Sequence, residues 1–322
     1  MASPTHSKRL EALCREHDAW EKKKVDKSNF QRRARLLQSL WRQDRGLPIG
    51  SFRGKLRGAR LAMPYAQEPL SNFLTPTIRN AVSRELFDPG RDKSKVIFKP
   101  RIFDNMLSSQ PLCFNFFGEL AANVDLATAV FSDLTGGRVG AVEAVEFEHS
   151  PGRSDPRYTG DRSAFDVYVR FKPPGGGRGF IGIEVKYHEG LGDPEAELRP
   201  RYDEIAVQMG CFLPEKLEAV RRRPLEQIWR DHLLAGALRL VDRYDDGFFV
   251  FLHPEGNPAC AEAVAAYQDC LADTGTFAAW TLEQVVAGLR RHTDAPWVET
   301  LHQRYLDFDR IDRLLAEMDC TS

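Results

Sequence analysis

Residues 164–171 read AFDVYVRF, and residues 180–187, after a turn rich in Pro and Gly, read FIGIEVKY. The first segment alternates apolar and polar residues and the second is β-branched and apolar, which predicts the two strands of a β-hairpin. Because side chains alternate between the two faces of a strand, Asp166 is expected to lie beside Glu184 and Lys186. The apolar residues of the first strand are expected on the opposite face: Phe165, Val167, Val169 and Phe171.

The charged residues of this hairpin suit phosphodiester hydrolysis. Charges in strongly apolar strands are costly unless they are paired or bound to a metal. Asp166 and Glu184 are hard oxygen ligands for Mg²⁺ or Mn²⁺, and the backbone carbonyl of Val185 is a candidate third ligand. The ion would lower the pKa of a bound water, and Lys186 would orient that water or neutralise the transition state. The alternative is a surface hairpin with a solvent-exposed Asp–Lys–Glu salt-bridge set.

At 322 residues the chain can form one large domain or two modest ones. Its net charge of −1 hides an asymmetry, because residues 1–60 hold 16 Lys and Arg against 6 Asp and Glu, and the remaining 262 residues hold 29 against 40. This pattern indicates either a basic arm that contacts nucleic acid or a solvated helical face docked on an acidic body. We expect a basic helical arm over residues 1–60 and a second region over residues 61–322.

Apolar periodicity and turn signals predict the remaining elements. Residues 8–45 suit helices with an apolar stripe of Leu36, Leu37, Leu40 and Trp41, and residues 46–105 are expected to be irregular. The other predicted elements are a helix from about 110, a strand at 139–148, a loop at 150–162, a helix at 224–240, a strand at 248–252, a helix after the Thr281–Gln284 capping box and a last helix at about 296–318. The order predicts an α/β fold.

Several classes of protein are excluded. The six cysteines have no Cys-x-x-Cys pair and no zinc-ligand spacing, so we expect reduced thiols in a cytoplasmic protein. No segment has the apolar core of a signal peptide or the length of a membrane span, so no membrane partner is expected. P-loop, Gly-rich dinucleotide and Ser-His-Asp signatures are absent.

Asp166, the hairpin and then Glu184-Val185-Lys186 resemble the signature of the PD-(D/E)XK nuclease superfamily. The flanking sequence is similar to that of uncharacterised bacterial PD-(D/E)XK nuclease-like proteins, over about residues 100 to 290. The segments that carry this similarity read PGRSDPRYTGDRSAFDVYV and RGFIGIEVKYHE. The resemblance implies a restriction-endonuclease-like core, which is a mixed central sheet flanked by helices, with helical additions at the N- and C-terminal ends. It also implies metal-dependent cleavage of nucleic acid, which is DNA for many members and RNA for a few, while some members are inactive scaffolds.

The resemblance implies two more site residues. Some members supply a Glu from the first core helix as an extra metal ligand, and Glu119 is the candidate here, although a solvent-exposed carboxylate at a helix end is the alternative. Exonuclease-like members place a Gln on the helix after the Lys strand, and Gln227 matches that position. Gln227, Arg230 and Asp231 share one helix face, and Arg230 is expected either to contact phosphate or to pair with a nearby carboxylate.

The loop before Asp166 offers candidate nucleic-acid contacts, in which arginines grip phosphates and Tyr158 stacks on a base. These candidates are Arg153, Arg157, Tyr158 and Arg162. Internal Arg–Asp pairs that fix a long loop are the alternative. His188 is expected at the rim of the site, and Glu146 and Glu148 are lower-ranked carboxylate candidates.

We therefore expect a Mg²⁺- or Mn²⁺-dependent nuclease that cuts DNA, in phage defence, mobile-element control or repair. The alternative is an inactive protein of nuclease fold that binds nucleic acid or acts as an interaction scaffold. The sequence leaves strand type, base specificity, endo- or exonuclease mode and oligomeric state open, a homo-oligomer included.

Overall fold

The computed structural model describes residues 4–22, 24–192 and 196–320. The described residues divide by their contacts into two compact units. Unit 1 comprises Met1–Asp88, Ile97–Phe116 and Asp294–Ser322, and unit 2 comprises Pro89–Val96 and Phe117–Thr293. The predicted boundary at residue 60 lies inside a strand and does not coincide with this division. The extent of a separate basic arm stays a prediction.

The described residues form 13 α-helices and seven strands. The helices are α1 (Pro4–Glu16), α2 (Asn29–Asp44), α3 (Pro76–Phe87), α4 (Arg101–Asp104), α5 (Ser109–Ala122), α6 (Val124–Leu134), α7 (Pro200–Met209), α8 (Leu217–Val220), α9 (Glu226–Val241), α10 (Pro258–Gln268), α11 (Leu282–His292), α12 (Pro296–Tyr305) and α13 (Asp309–Cys320). The strands are β1 (Ile49–Phe52), β2 (Lys55–Leu61), β3 (Ala141–His149), β4 (Phe165–Lys172), β5 (Gly179–Val185), β6 (Asp246–His253) and β7 (Phe277–Thr281).

Unit 1 is built around α2. The helix begins at a capping box, in which the Ser28 hydroxyl accepts from the Gln31 backbone N–H and the Gln31 side chain accepts from the Ser28 N–H. The predicted stripe is confirmed, because Leu36, Leu37 and Leu40 are buried in one cluster with residues of α1 and α13. The β1–β2 hairpin packs beside this helix.

Two predictions for unit 1 are wrong in part. Residues 46–105 are not irregular throughout, since they contain β1, β2 and α3. The last predicted helix is two helices, which are interrupted between Tyr305 and Asp309. The interruption carries neither Pro nor Gly, and Tyr305 and Phe308 keep helical spacing across it, so the apolar stripe gives no sign of the break.

Unit 2 contains a five-stranded mixed sheet in the order β3-β4-β5-β6-β7. The pairs β3–β4 and β4–β5 are antiparallel, whereas β5–β6 and β6–β7 are parallel. Every residue of β5 is buried, as expected for a central strand covered by helices on both faces. The predicted α/β class, with a mixed central sheet flanked by helices, is confirmed.

The predicted hairpin is formed by β4 and β5, with Val167 opposite Ile183 as the last paired residues toward the charged end. One detail of the predicted faces is wrong. Phe165 does not lie with Val167 but packs in the cluster of Tyr168 and Phe180, on the α9 side of the sheet. The ladder to β5 has already ended at Val167, so the strand is free to turn there.

Gly182 makes room for this ring. A Cβ at Gly182 would lie 2.4 Å from the Phe165 ring, a distance that no side chain tolerates. The glycine is therefore required by the close approach of an aromatic side chain and not by its own backbone angles.

The five cysteines within the described side chains are buried and form no disulfide: Cys14, Cys113, Cys211, Cys260 and Cys270. Reduced thiols were predicted from the sequence. No described helix is long and apolar enough to cross a membrane.

Candidate active site

Glu184 is the central residue of the candidate site. Its Oε1 atom accepts hydrogen bonds from Lys186 Nζ at 2.9 Å and from Gln227 Nε2 at 2.8 Å. The central strand β5 supplies Glu184, and the first turn of α9 supplies Gln227, so a side chain 43 residues away reaches the hairpin. The structure thus brings together three of the residues that the sequence selected.

Asp166 lies next to this group. Its Oδ2 atom accepts the backbone N–H of Val185 at 2.8 Å, which ties the carboxylate of β4 to the end of β5. Burial, together with the negative charges of Glu184 and Glu148, raises the pKa of Asp166 well above its ordinary value. Like charges in a buried place need a cation to remain ionised together.

Lys186 is one such cation. Burial works to lower the pKa of this lysine, but the charge and hydrogen bond of Glu184 outweigh it and hold the pKa above its ordinary value. The side chains of Lys186 and Glu184 are only 11% and 10% exposed. The alternative of a solvent-exposed salt-bridge set on the hairpin therefore does not describe this site.

The donor set fits a divalent cation. Asp166 Oδ1 and Glu184 Oε2 take part in no described hydrogen bond, so each carboxylate keeps one oxygen for another ligand. Oxygen atoms of two neighbouring carboxylates are what Mg²⁺ and Mn²⁺ prefer. Within the described ranges no group of three His, Cys, Asp or Glu side chains is arranged to hold a metal. An ion here would take its further ligands from the backbone, water or substrate.

Asp231 is a site residue that the sequence did not single out as a ligand. It lies one turn after Gln227 on α9 and is only 4% exposed. Its Oδ2 atom is buried and has no hydrogen-bond partner. Burial and the charge of Glu184 raise the pKa of Asp231 well above its ordinary value. The sequence did offer one indication of this position, because Asp231 follows Gln227 by four residues and therefore shares its helix face.

Glu148 is a second carboxylate near Asp166, and it was only a lower-ranked candidate in the sequence analysis. It lies on β3 between residues paired with Val167 and Phe165, which places it opposite Asp166. Its backbone has a φ of 52°, in the left-handed region where a residue other than glycine is strained. Only the register between β3 and β4 shows that Glu148 faces the site.

His188 and Glu189 lie just after β5. Glu189 Oε2 accepts the backbone N–H of Tyr187 at 3.0 Å and lies 3.7 Å from His188 Nδ1. Although burial acts in the opposite direction, His188 and the charge of Lys186 lower the pKa of Glu189 to about 2. This carboxylate is therefore ionised and adds to the negative charge that Lys186 balances.

No described hydrogen bond of Asp166 or Glu184 goes to Glu119. Glu119 is half-buried on α5. Its role as an extra metal ligand stays a prediction.

Two arginines of the loop before Asp166 contact other residues of the same loop. Arg157 pairs with Asp155 at 2.6 Å, and Arg153 donates to the carbonyl of Arg162 at 3.2 Å. Internal pairs of this kind were the alternative to phosphate contacts.

Tyr158, in the same loop, is not presented for stacking on a base. It is 7% exposed, packs in the core of unit 2 and donates its hydroxyl to Asp242 Oδ1 at 2.7 Å. Burial and this hydrogen bond raise the pKa of Tyr158 to about 12. We therefore do not retain it as a nucleic-acid contact.

Arg230 lies 3.4 Å from Glu226 on the preceding turn of α9, so it has the carboxylate partner that the sequence allowed. It also lines a cavity of about 300 Å³ together with Arg162 and Arg199. The exposed Arg162 side chain pairs with no described residue.

A sequence model described as the PD-(D/E)XK nuclease superfamily matches residues 24–307 of the chain. No curated protein and no solved structure gives a match. The matched range contains the whole hairpin and α9, with each of the side chains described around Glu184.

Proposed function

Because the chain belongs to the PD-(D/E)XK nuclease superfamily, we propose that it is a metal-dependent nuclease that hydrolyses phosphodiester bonds through the site around Glu184. One observation carries the proposal. Lys186 and Gln227 converge on a single oxygen of Glu184, beside Asp166, in a buried place that a merely structural salt bridge would not require.

The side chains have separate roles in this proposal. Asp166 and Glu184, with the backbone carbonyl of Val185, hold Mg²⁺ or Mn²⁺. The bound ion would supply a water of lowered pKa and stabilise charge on the phosphate. Lys186 keeps its proton at neutral pH and offers positive charge to a phosphate oxygen or to the attacking water. Gln227 fixes the orientation of the Glu184 carboxylate.

Two arginines are proposed as phosphate contacts. Arg162 and Arg230 line the same cavity in unit 2, and Arg230 is one turn from Gln227 on α9. Guanidinium groups bind phosphate oxygens through paired donors. Arg153 and Arg157 are weaker candidates because the loop already uses their side chains.

The proposed substrate is DNA, in keeping with many members of the superfamily, and the cellular setting would be phage defence or repair. The test is cleavage of single-stranded DNA, duplex DNA and RNA by the purified protein in Mg²⁺, Mn²⁺, Ca²⁺ or EDTA. We expect cleavage in Mg²⁺ and Mn²⁺ and none in EDTA. Ca²⁺ accepts looser geometry, so it should support binding without efficient cleavage.

Two variants connect the activity to this site. Lys186→Ala should lower the cleavage rate by about 100- to 1000-fold, which is typical of removing one electrostatic group. Glu184→Gln keeps the shape but removes a charge, so it should lower activity and Mg²⁺ affinity together. Glu143→Gln is the control, because this carboxylate lies on β3 and pairs with Lys172 at 3.4 Å. It should behave like the wild type.

The competing function is an inactive protein of nuclease fold that binds nucleic acid. Metal-independent binding, with no substrate cut in Mg²⁺ or Mn²⁺, would replace the nuclease proposal with this one. Unchanged cleavage in Lys186→Ala would remove the hairpin from the active site.

A further inference from the structure

A cavity of about 240 Å³ is formed entirely by residues of unit 1. Its walls include the aromatic rings of Trp41, Tyr65 and Phe73, and its charged residues are Arg45 and Arg79. None of the described residues that line it carries a carboxylate. The cavity therefore combines aromatic surface with positive charge.

Neither arginine is neutralised by a described acidic group. The guanidinium carbon of Arg45 lies 5.4 Å from the centroid of the Trp41 ring, and no described carboxylate pairs with it. Arg79 Nε donates to the carbonyl of Phe73 at 3.1 Å, and the terminal nitrogens of Arg79 have no acceptor among the described residues. Open guanidinium donors suit a phosphate group, which can accept two of them at once.

Tyr65 offers a stacking surface beside these arginines. Its side chain is 46% exposed, and its hydroxyl has no described hydrogen-bond partner. An exposed ring next to cations is typical of sites that stack single-stranded bases. Sites for drug-sized ligands usually have volumes of about 300–1,000 Å³. The smaller volume here suits one ring system.

We propose that this cavity binds one unpaired nucleotide of a nucleic-acid strand, with the base stacked on Tyr65 and the phosphate held by Arg45 and Arg79. A base inside a duplex is stacked on its neighbours and is not available to a protein ring. The ligand is therefore a single-stranded segment. The proposal rests on the nucleic-acid substrate proposed above and adds a strand-binding site outside the residues assigned to catalysis.

The test is equilibrium binding of a fluorescent single-stranded oligonucleotide, and of a blunt duplex of the same sequence, to the full chain in EDTA. Tyr65→Ala should weaken single-strand binding by about 5- to 150-fold, the equivalent of about 1–3 kcal/mol for one stacked base. Tyr65→Phe keeps the ring and should bind like the wild type. Duplex binding should not change in either variant.

The arginines are tested through the salt dependence. Arg79→Ala and Arg45→Ala should each weaken single-strand binding, and the variant that carries both changes should reduce the slope of log K against log salt by about 0.7, as expected when one phosphate of a single strand is no longer neutralised. Arg84→Ala is the matched control, because it removes the same side chain from the exposed surface of the same helix α3. Phe98→Ala is the control for Tyr65, since it removes another exposed ring, 56% exposed, from unit 1.

Equal effects of Tyr65→Ala and Phe98→Ala, or of Arg79→Ala and Arg84→Ala, would overturn the proposal. Displacement of the oligonucleotide by micromolar adenosine monophosphate would assign the cavity to a free nucleotide instead and would also overturn it. Cleavage in Mg²⁺ is scored separately with the wild type. If the wild type cleaves nucleic acid but Tyr65→Ala binds it normally, only the proposal of this binding site fails. If binding depends on Tyr65 but the wild type cleaves nothing, only the proposal of nuclease activity fails.

Discussion

Asp231 is a buried carboxyl group with an unpartnered oxygen, close enough to Glu184 for its pKa to respond to that charge. Desolvation disfavours the ionised form of such a group, and a neighbouring negative charge disfavours it further. The Arg230 guanidinium opposes both effects without cancelling them. Asp231 therefore resists ionisation in the folded chain and ionises readily in the unfolded chain.

This difference predicts how stability depends on pH. The folded pKa of Asp231 lies above its unfolded value of about 4, so ionisation costs stability as the pH rises from about 4 through the folded pKa. Asp231→Asn removes that cost. In EDTA, we expect the variant to be more stable than the wild type at pH 8, with the difference shrinking toward pH 4. Urea unfolding at several pH values measures it, and a difference that does not vary with pH would contradict the pKa argument.

At the scale of the elements, Gly182 on β5 controls the packing of the end of β4. An alanine Cβ at this position would meet the Phe165 ring at 2.4 Å. Phe165 immediately precedes Asp166, so a displaced ring would also displace a residue proposed to hold the metal. Gly182→Ala should therefore destabilise the protein by about 1–3 kcal/mol, as overpacking does, and should lower cleavage as well.

Gly175→Ala is the matched control for this prediction. Gly175 belongs to the turn between β4 and β5, and a Cβ there would have nothing within 4 Å. Unfolding in urea and cleavage in Mg²⁺ should be unchanged in this variant. If both glycine variants behave alike, the strand and the ring adjust freely and the packing argument fails.

The hairpin could be predicted because its signal is local: alternation along β4, an apolar run along β5 and a turn between them. α10 could not, because its sequence, PACAEAVAAYQ, is rich in alanine and shows little contrast between faces. The α6 and α7 helices and β7 were also not predicted. In the site, local pattern and family resemblance were enough to select Asp166, Glu184 and Lys186. The positions of Glu148 and Asp231 could not be predicted in this way, because they depend on the register of β3 and on the packing of α9 on the sheet.

At the scale of the whole molecule, the charge asymmetry raises the question of whether the basic residues among 1–60 contact nucleic acid. Removing residues 1–45 would not answer it, because Leu36, Leu37 and Leu40 belong to the core of unit 1 and their loss would unfold that unit. Several lysines in this range are instead exposed and can be changed without touching the core: Lys8, Lys24, Lys27 and Lys55.

Changing these four lysines to glutamine together tests the basic arm. If they bind phosphates, the affinity for nucleic acid should fall for every sequence. The slope of log K against log salt should also flatten, by about 0.7–0.9 for each phosphate that a lysine no longer neutralises. The control changes four exposed lysines outside the range: Lys93, Lys99, Lys172 and Lys216. Equal slopes for the two sets would show that the effect is one of net charge and not of an arm.

The buried cysteines make it possible to follow the kinetics of local unfolding. Burial raises the pKa of Cys14 and Cys260 to about 12 and that of Cys211 to about 11. Alkylating reagents attack the thiolate, so these side chains react only after the surrounding structure has opened. Cys14 belongs to unit 1, and Cys211 and Cys260 belong to unit 2. Alkylation followed peptide by peptide would therefore time the opening of each unit separately, in the unmodified chain and without an added label.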